Sequence, residues 1–369
     1  MKSSSARLKN LPFFVFLLMS MPALSIAAGA STLVKINVPG AGTGAYQGTF
    51  SNSINASGTV AGYYTDVNSV SHGFVRATNG TITTFDAPGA GTSAFQGTFA
   101  FGINKTGAIT GYYIDASNVI HGYLRSANNK FIEFDAPGAA GTQAENINDA
   151  GTIAGPYFDA ADVEHGFVRV GGTITTFDAP GAGTGSGEGT FLPSTAGINK
   201  AGTLTGWYID DTDTVHGYQR AATGAITTID VSGAGTGNGN GTYAGAINDT
   251  GTICGLYGDT SLVIHGFVRA VSGAITTFDV KGAGTGTGQG TLPQAISATG
   301  IIVGWYSDSN GVLHAFQRSN GGAIKTFNVP GAGTASGEGT LPSSINATGT
   351  IVGLYSDSNL VFHGFLLIP

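Results

Sequence analysis

Three observations predict an all-β chain, and more narrowly a seven-bladed β-propeller of four-stranded antiparallel blades. First, all seven histidines (His72, His121, His165, His216, His265, His314 and His363) fall in one recurring phrase, close to Gly-x-Tyr-x-Asp-x5-His-Gly-Phe-x-Arg. Five of the six intervals between them lie within two residues of 49, and one is shortened to 44. Second, each copy holds four short runs of alternating apolar residues bounded by turn signals, which is how strands read in a sequence. Third, no stretch sustains a helical period. Four antiparallel strands in a unit of this length match a propeller blade; the coil of a β-solenoid repeats at a shorter period.

The elements follow in a fixed order. The first strand ends in Ile-Asn, as at Ile54-Asn55, Ile103-Asn104, Ile198-Asn199 and Ile247-Asn248. Asn-x-x-Gly then predicts a tight hairpin, with residues such as Gly58 and Gly251 free to take positive φ. The second strand is Thr-Ile-x-Gly-x-Tyr, for example Thr252 to Tyr257, and the third is His-Gly-Phe-x-Arg. The fourth is Ile-Thr-Thr-Phe-Asp, as at Ile82 to Asp86 and Ile275 to Asp279. A glycine-rich connection leads to the next unit. The chain ends on a third-type strand, His363 to Ile368, while a lone fourth-type strand stands at Leu33 to Val38. Pairing of the two would close the ring and remove two open sheet edges.

Composition narrows the function. Residues 1–30 read as a signal peptide: Lys2, Arg7 and Lys9, then an apolar run from Leu11 to Leu24, then small residues up to Ala30, with cleavage expected after Ala27 or Ala30. Residues 31–369 then form one domain, secreted or periplasmic and expected to be a monomer. Without the leader, 12 basic side chains face 22 acidic ones, a net charge of −10. There is no Lys/Arg run, which argues against nucleic acid and anionic lipid as partners. No later stretch is long and apolar enough for a helical membrane span. Cys254 is the only cysteine, so no intramolecular disulfide forms, and its slot elsewhere holds small side chains.

The co-occurring Ile-Asn-x-x-Gly, Gly-x-Tyr-x-Asp and His-Gly-Phe pieces, with the variant His314-Ala315-Phe316, resemble the HAF family of probable extracellular repeats. The resemblance covers essentially all of residues 31–369. It implies secretion and repeated β-structure, and it supplies no reaction, ligand or catalytic residue.

Candidate sites come from the repeat itself. Each His follows an Asp by six residues: Asp66/His72, Asp115/His121, Asp159/His165, Asp210/His216, Asp259/His265, Asp308/His314 and Asp357/His363. They flank one hairpin, and a hydrogen bond of about 2.7–3.2 Å between them is expected as a structural clamp. Seven equivalent pairs do not make one active site. The fourth-strand residues Asp86, Asp135, Asp178, Asp230 and Asp279, replaced by Asn37 and Asn328, read as turn acceptors before Pro-Gly. The glycine-rich loops lack the Gly-Lys-Ser/Thr and helix of a phosphate loop.

A variable slot before Gly-Thr holds Gln47, Gln96, Glu188, Asn240, Gln289 and Glu338, with Glu145 placed nearby in the shortened third unit. These seven are the candidate ring at the channel mouth, able to grip sugar hydroxyls or a cation such as calcium. No other metal and no cofactor is expected. A second slot, before the Tyr of strand two, offers Tyr63, Tyr112, Trp207 and Trp305 as candidate rim aromatics, with Pro156 the outlier. Arg76, Arg125, Arg169, Arg220, Arg269 and Arg318 on strand three read as structural hydrogen-bonders. The third unit lacks five residues, so a notch in the rim is expected there, with Glu145 facing Glu188 across it. Two functions remain: a binding or scaffold module for glycans or a cell-surface protein, and an extracellular carbohydrate-active hydrolase or lyase using carboxylates at the channel.

Overall fold

A computed structural model describes residues 31–194 and 196–369, and the signal peptide read over residues 1–30 lies outside them. Every regular element among the described residues is a β-strand; none is a helix. In the first repeat the strands are Gly48–Ile54, Val60–Thr65, Ser71–Arg76 and Ile82–Phe85, each antiparallel to the next. The fifth repeat shows the same order with Asn240–Ile247, Ile253–Gly258, Ile264–Arg269 and Ile275–Phe278.

The turns form as their side chains dictate. Gly58 takes φ 88°, and its N–H donates to the Asn55 carbonyl at 3.0 Å. Asn55 Oδ1 accepts from the N–H groups of Ser57 and Thr59, so the asparagine satisfies its own turn. Asp66 does the same for the next hairpin, accepting from Asn68 and Val70. Most first strands carry a bulge, between Ser51 and Ser53 in repeat one, which turns the local strand face.

The ring closes through two kinds of contact. Parallel bridges join the third strand of one repeat to the first of the next, as Ser71 to Gly97 and Glu164 to Gly189, and Phe362 meets Gly48 in the same way. Strand Thr32–Ile36 pairs antiparallel with Phe362–Ile368, from Thr32↔Ile368 to Ile36↔Gly364. The sheet is therefore closed on itself, and the closure expected from the terminal strands is present.

A circle of asparagines lies on the inside. Asn55 Nδ2 donates to the Asn104 carbonyl at 3.1 Å, Asn104 to Asn148 at 3.3 Å, Asn148 to Asn199 at 3.0 Å, and Asn199 to Asn248 at 3.2 Å. Asn248 reaches Ser297 at 3.1 Å, and Asn346 returns to Asn55 at 3.3 Å. Ser297 interrupts the circle: it has no amide, and its hydroxyl accepts from Ile301 N–H in its own turn.

Between repeats the core is aromatic. Phe74, Phe167, Phe267, Phe316 and Phe365 of the His-Gly-Phe phrase are fully buried, each worth about 1.5–3 kcal/mol of apolar transfer. Tyr123 and Tyr218 replace Phe because their hydroxyls find the carbonyls of Phe99 and Phe191. The arginines depart from the sequence reading. Arg125, Arg169, Arg220 and Arg318 lie 4.3–4.8 Å from the rings of Phe85, Phe134, Phe177 and Phe278 in the preceding repeat. They act mainly as cation–π stackers between repeats. Where the preceding ring is absent, at Ile229, Arg269 instead donates to Gln219 at 3.1 Å.

Candidate functional site

The histidines sit in a repeated polar sandwich whose geometry corrects the expected clamp. Each stacks on the Tyr opposite it in strand two, as His72 on Tyr64 with centroids 5.0 Å apart. The near partner is the fourth-strand residue: Nδ1 lies 2.7–2.9 Å from Asp86, Asp135, Asp178, Asp230 and Asp279, and 2.9 Å from Asn37. The Asp six residues earlier is farther, with Nε2 to Oδ2 distances of 3.3–3.8 Å. Its other oxygen is committed to the turn N–H groups, which fixes the carboxylate in the hairpin; Nε2 of His216, His265, His314 and His363 still hydrogen-bonds it at 3.3–3.5 Å, longer than the expected clamp. Those N–H groups have a second effect: the Val119 N–H, opposed by slight desolvation and helped by Ser117 N–H and His121, holds Asp115 below the ordinary carboxylate range. The fourth-strand aspartates are thus histidine partners, and their role is wider than turn capping.

The ring of amides and carboxylates before Gly-Thr is spent on its own loops. Gln47 Oε1 accepts from Gly44 N–H at 3.0 Å, and Nε2 donates to the Val67 carbonyl and Ser69 Oγ at 3.2 and 3.3 Å. Gln96, Gln289, Glu188 and Glu338 accept from Ser93, Gly286, Gly185 and Ala335 in the same way, and Asn240 donates to Asp259. This side chain lies where a Cβ on Gly42 would fall, so the loop requires glycine there. The slot staples the loop to the hairpin of its own repeat.

Glu145 does not belong to that slot. Thr142 pairs with Tyr157 as Thr49 pairs with Tyr64, which makes Ala140 the counterpart of Gln47. The five missing residues lie before Thr142: Ala136 N–H reaches Thr142 Oγ1 across six positions, where Val38 reaches Thr49 across eleven. Glu145 instead lines a 90 Å³ cavity with Ser53, Asn146 and Ser344, only 7% exposed, while Glu188 is held by Gly185. The two do not form the expected pair across a notch. Burial, reinforced by the Glu164 charge, pushes the Glu145 carboxyl up to about 8. Among the described residues no group of three or more His, Cys, Asp or Glu is placed to hold a metal ion.

The candidate rim aromatics are packed against neighbouring side chains, Tyr63 and Trp207 against rings of the next repeat. Tyr63 stacks on Phe50 at 4.6 Å and meets Phe99 at 5.0 Å, and Tyr112 stacks on Phe99 at 5.0 Å. Trp207 lies parallel to Phe191 and 5.6 Å from Tyr243, and Trp305 is opposite Leu292. Burial raises the Tyr63 hydroxyl to about 12, with Glu145 adding to the effect.

The exposed aromatics lie one residue before the loop staple, where the sequence reading did not look. Tyr46 is 67% exposed and Phe95 is 79% exposed. Both have left-handed backbone, φ 64° and 67°, a conformation that costs a side-chain-bearing residue roughly 1–3 kcal/mol. The equivalent residues in later repeats are Gly187, Gly239, Gly288 and Gly337, all at positive φ. That contrast was present in the sequence and marks the first two repeats. Tyr46 and Phe95 are the outer walls of a 450 Å³ cleft between repeats one and two. Its floor holds the Phe50, Tyr63 and Phe99 rings together with the hydroxyls of Thr65, Ser69 and Ser71. The equivalent cleft between repeats five and six, 390 Å³, keeps one ring, Tyr243, and is otherwise mainly aliphatic, lined by Leu256, Leu262, Ile264 and Leu292.

A closed all-β ring of repeated antiparallel strands joined in this way is a β-propeller fold, and solved structures agree. A streptogramin B lyase is similar with 15% identity and a TM-score of 0.57, over 91% of this chain and 98% of that one. The β-propeller domain of the Trilobed protease from Pyrococcus furiosus is similar with 10% identity and a TM-score of 0.58, over 88% and 96%. The BP39L lectin from Burkholderia pseudomallei shows 10% identity and a TM-score of 0.53, over 86% and 94%. At these identities the likeness is one of fold. No family model matches the chain. No curated protein matches it.

Proposed function

We propose that the repeats are the blades of a seven-bladed β-propeller, exported as a monomer of the HAF type, that binds carbohydrate in the cleft between the first two repeats. One observation carries this reading: two exposed aromatic side chains, held at backbone strain where four later repeats use glycine, line one cleft with aromatic rings and hydroxyls. Sugar rings bind through apolar C–H faces laid on aromatic rings and hydroxyls that exchange hydrogen bonds. A cleft of 450 Å³ has room for one or two sugar residues. A lectin is among the solved structures of similar fold, which supports the reading at the level of architecture.

The test is a glycan array followed by titration calorimetry on residues 31–369, with Tyr46→Gly and Phe95→Gly beside the wild type. Loss of stacking on either wall should weaken binding about tenfold. A folded wild-type protein that binds no glycan would overturn the proposal.

The hydrolase or lyase reading has one observation in its favour. A buried carboxylic acid raised to about 8, as at Glu145, suits a proton donor at neutral pH. Product analysis on any array hit, with Glu145→Gln as control, decides between binding and turnover.

A further inference from the structure

We propose that Ser71 is the specificity-determining residue of the cleft and restricts it to a neutral sugar ring, an assignment that rests on the carbohydrate-binding reading above.

The slot is fixed by backbone on both sides, so only its side chain varies. Ser71 pairs with Thr65 across the hairpin and bridges to Gly97 of the next repeat, and its N–H donates to the Gln96 carbonyl at 2.9 Å. The residue before the histidine is Ile120, Glu164, Val215, Ile264, Leu313 or Phe362 in the other repeats. Each is larger than serine. Ile264 adds an aliphatic side chain to the cleft between repeats five and six. Glu164 brings a carboxyl to the corresponding position of repeat three. Repeat one alone combines a small side chain with a hydroxyl at this point, and so deepens the cleft where Tyr46 and Phe95 wall it.

The hydrogen-bonding groups around Ser71 are hydroxyls. Ser71 Oγ lies 3.4 Å from Thr65 Oγ1, and Ser69 Oγ accepts from Gln47 Nε2, which leaves its own O–H free to donate. No residue lining the cleft is charged. A sugar carboxylate or sulfate entering it would lose water and meet no cation, and an amino sugar would meet no carboxylate. Either would lose hydration without a compensating partner. The net charge of −10 on residues 31–369 further opposes anionic ligands. A neutral ring with one apolar face meets both the stacking walls and the hydroxyl floor.

Ser71→Ile is the decisive variant, because isoleucine already occupies this slot in repeats two and five and the repeat accommodates it. Ser71→Ala removes the hydroxyl without filling the space. Calorimetry against neutral, sialylated, uronic and amino-sugar glycans should show binding of neutral glycans only. Ser71→Ile should lose at least tenfold in affinity with an unchanged melting temperature, and Ser71→Ala about threefold to tenfold. If glycans bind and Ser71→Ile matches wild type, or charged glycans bind ahead of neutral ones, this assignment falls and the carbohydrate reading stands. If the folded wild type binds no glycan, both fall together.

Discussion

Asn346 Nδ2 donates to the carbonyl oxygen of Asn55 at 3.3 Å, joining residues 291 positions apart across the seam of the ring. Closure is therefore made on the inner circumference as well as on the outer edge, where Thr32–Ile36 pairs with the last strand. Six of the repeats contribute an asparagine to this circle and one contributes Ser297.

Ser297→Asn should complete the circle. An asparagine there can accept from the turn N–H groups as its counterparts do, and can donate to the Asn346 carbonyl. The expected gain is about 0.5–1.5 kcal/mol in urea unfolding. Asn248→Ala, which strips the same bonds from a buried position, should cost about 1–3 kcal/mol. Equal stability of Ser297→Asn and wild type would show that the circle contributes nothing across that seam.

Removing residues 32–37 should leave the outer edge of strand Phe362–Ile368 unpaired and deprive His363 of its Asn37 partner. Light scattering on heating should then show aggregation at a lower temperature than for the intact chain. Unchanged behaviour would mean that the inner circle holds the ring by itself.

The two aspartates flanking each histidine should differ in weight. Asp210→Ala leaves the N–H groups of Thr212 and Thr214 without their acceptor, a loss of about 1–2 kcal/mol. Asp230→Ala removes only the bond to His216 Nδ1 at 2.9 Å, on a side chain that is half exposed, and should cost under about 1 kcal/mol. Chemical denaturation of both variants gives the order directly; the reverse order would refute the division of roles.

Glu145 should make stability depend on pH. Its folded value, about 8, lies above the ordinary carboxylate range because the site is buried. The folded state therefore holds a proton that the unfolded state releases. Its contribution is fully present below about pH 4.5 and is lost as pH rises toward 8. Glu145→Gln removes the dependence, so the difference in melting temperature between variant and wild type should grow from pH 5 to pH 8. A constant difference would mean that the carboxyl is ionised in the folded protein.

Phe95→Gly should separate stability from binding. Glycine relieves the left-handed strain, at the expense of a more flexible unfolded chain. Thermal unfolding should show stability unchanged or raised by up to about 1 kcal/mol. A clear loss of stability would show that the Phe95 ring is a packing residue and would remove the argument from strain.

Much of this protein is readable without coordinates, and the reason is local. Alternation, Asn-x-x-Gly and the six-residue Asp–His spacing depend on neighbours in the chain, so strands, hairpins and the phase of the terminal strand follow from them. The histidine partner did not, because Asp86 reaches His72 from a different strand 14 residues away and both aspartates fit the pattern equally well. Glu145 was misplaced because a five-residue gap can be put on either side of Thr142 until strand register decides. The aromatic walls were legible in principle, since Tyr46 and Phe95 stand where later repeats carry glycine. What the sequence could not supply was that Tyr63 and Tyr112 turn inward between repeats while Tyr46 and Phe95 remain exposed. Tyr63 and Tyr112 lie within second strands and Tyr46 and Phe95 in glycine-rich loops, and which of them meets solvent depends on the side chains packed against them. Secondary structure and repeat order were set by short-range chemistry; the position of the cleft was set by packing between repeats, which only the closed ring determines.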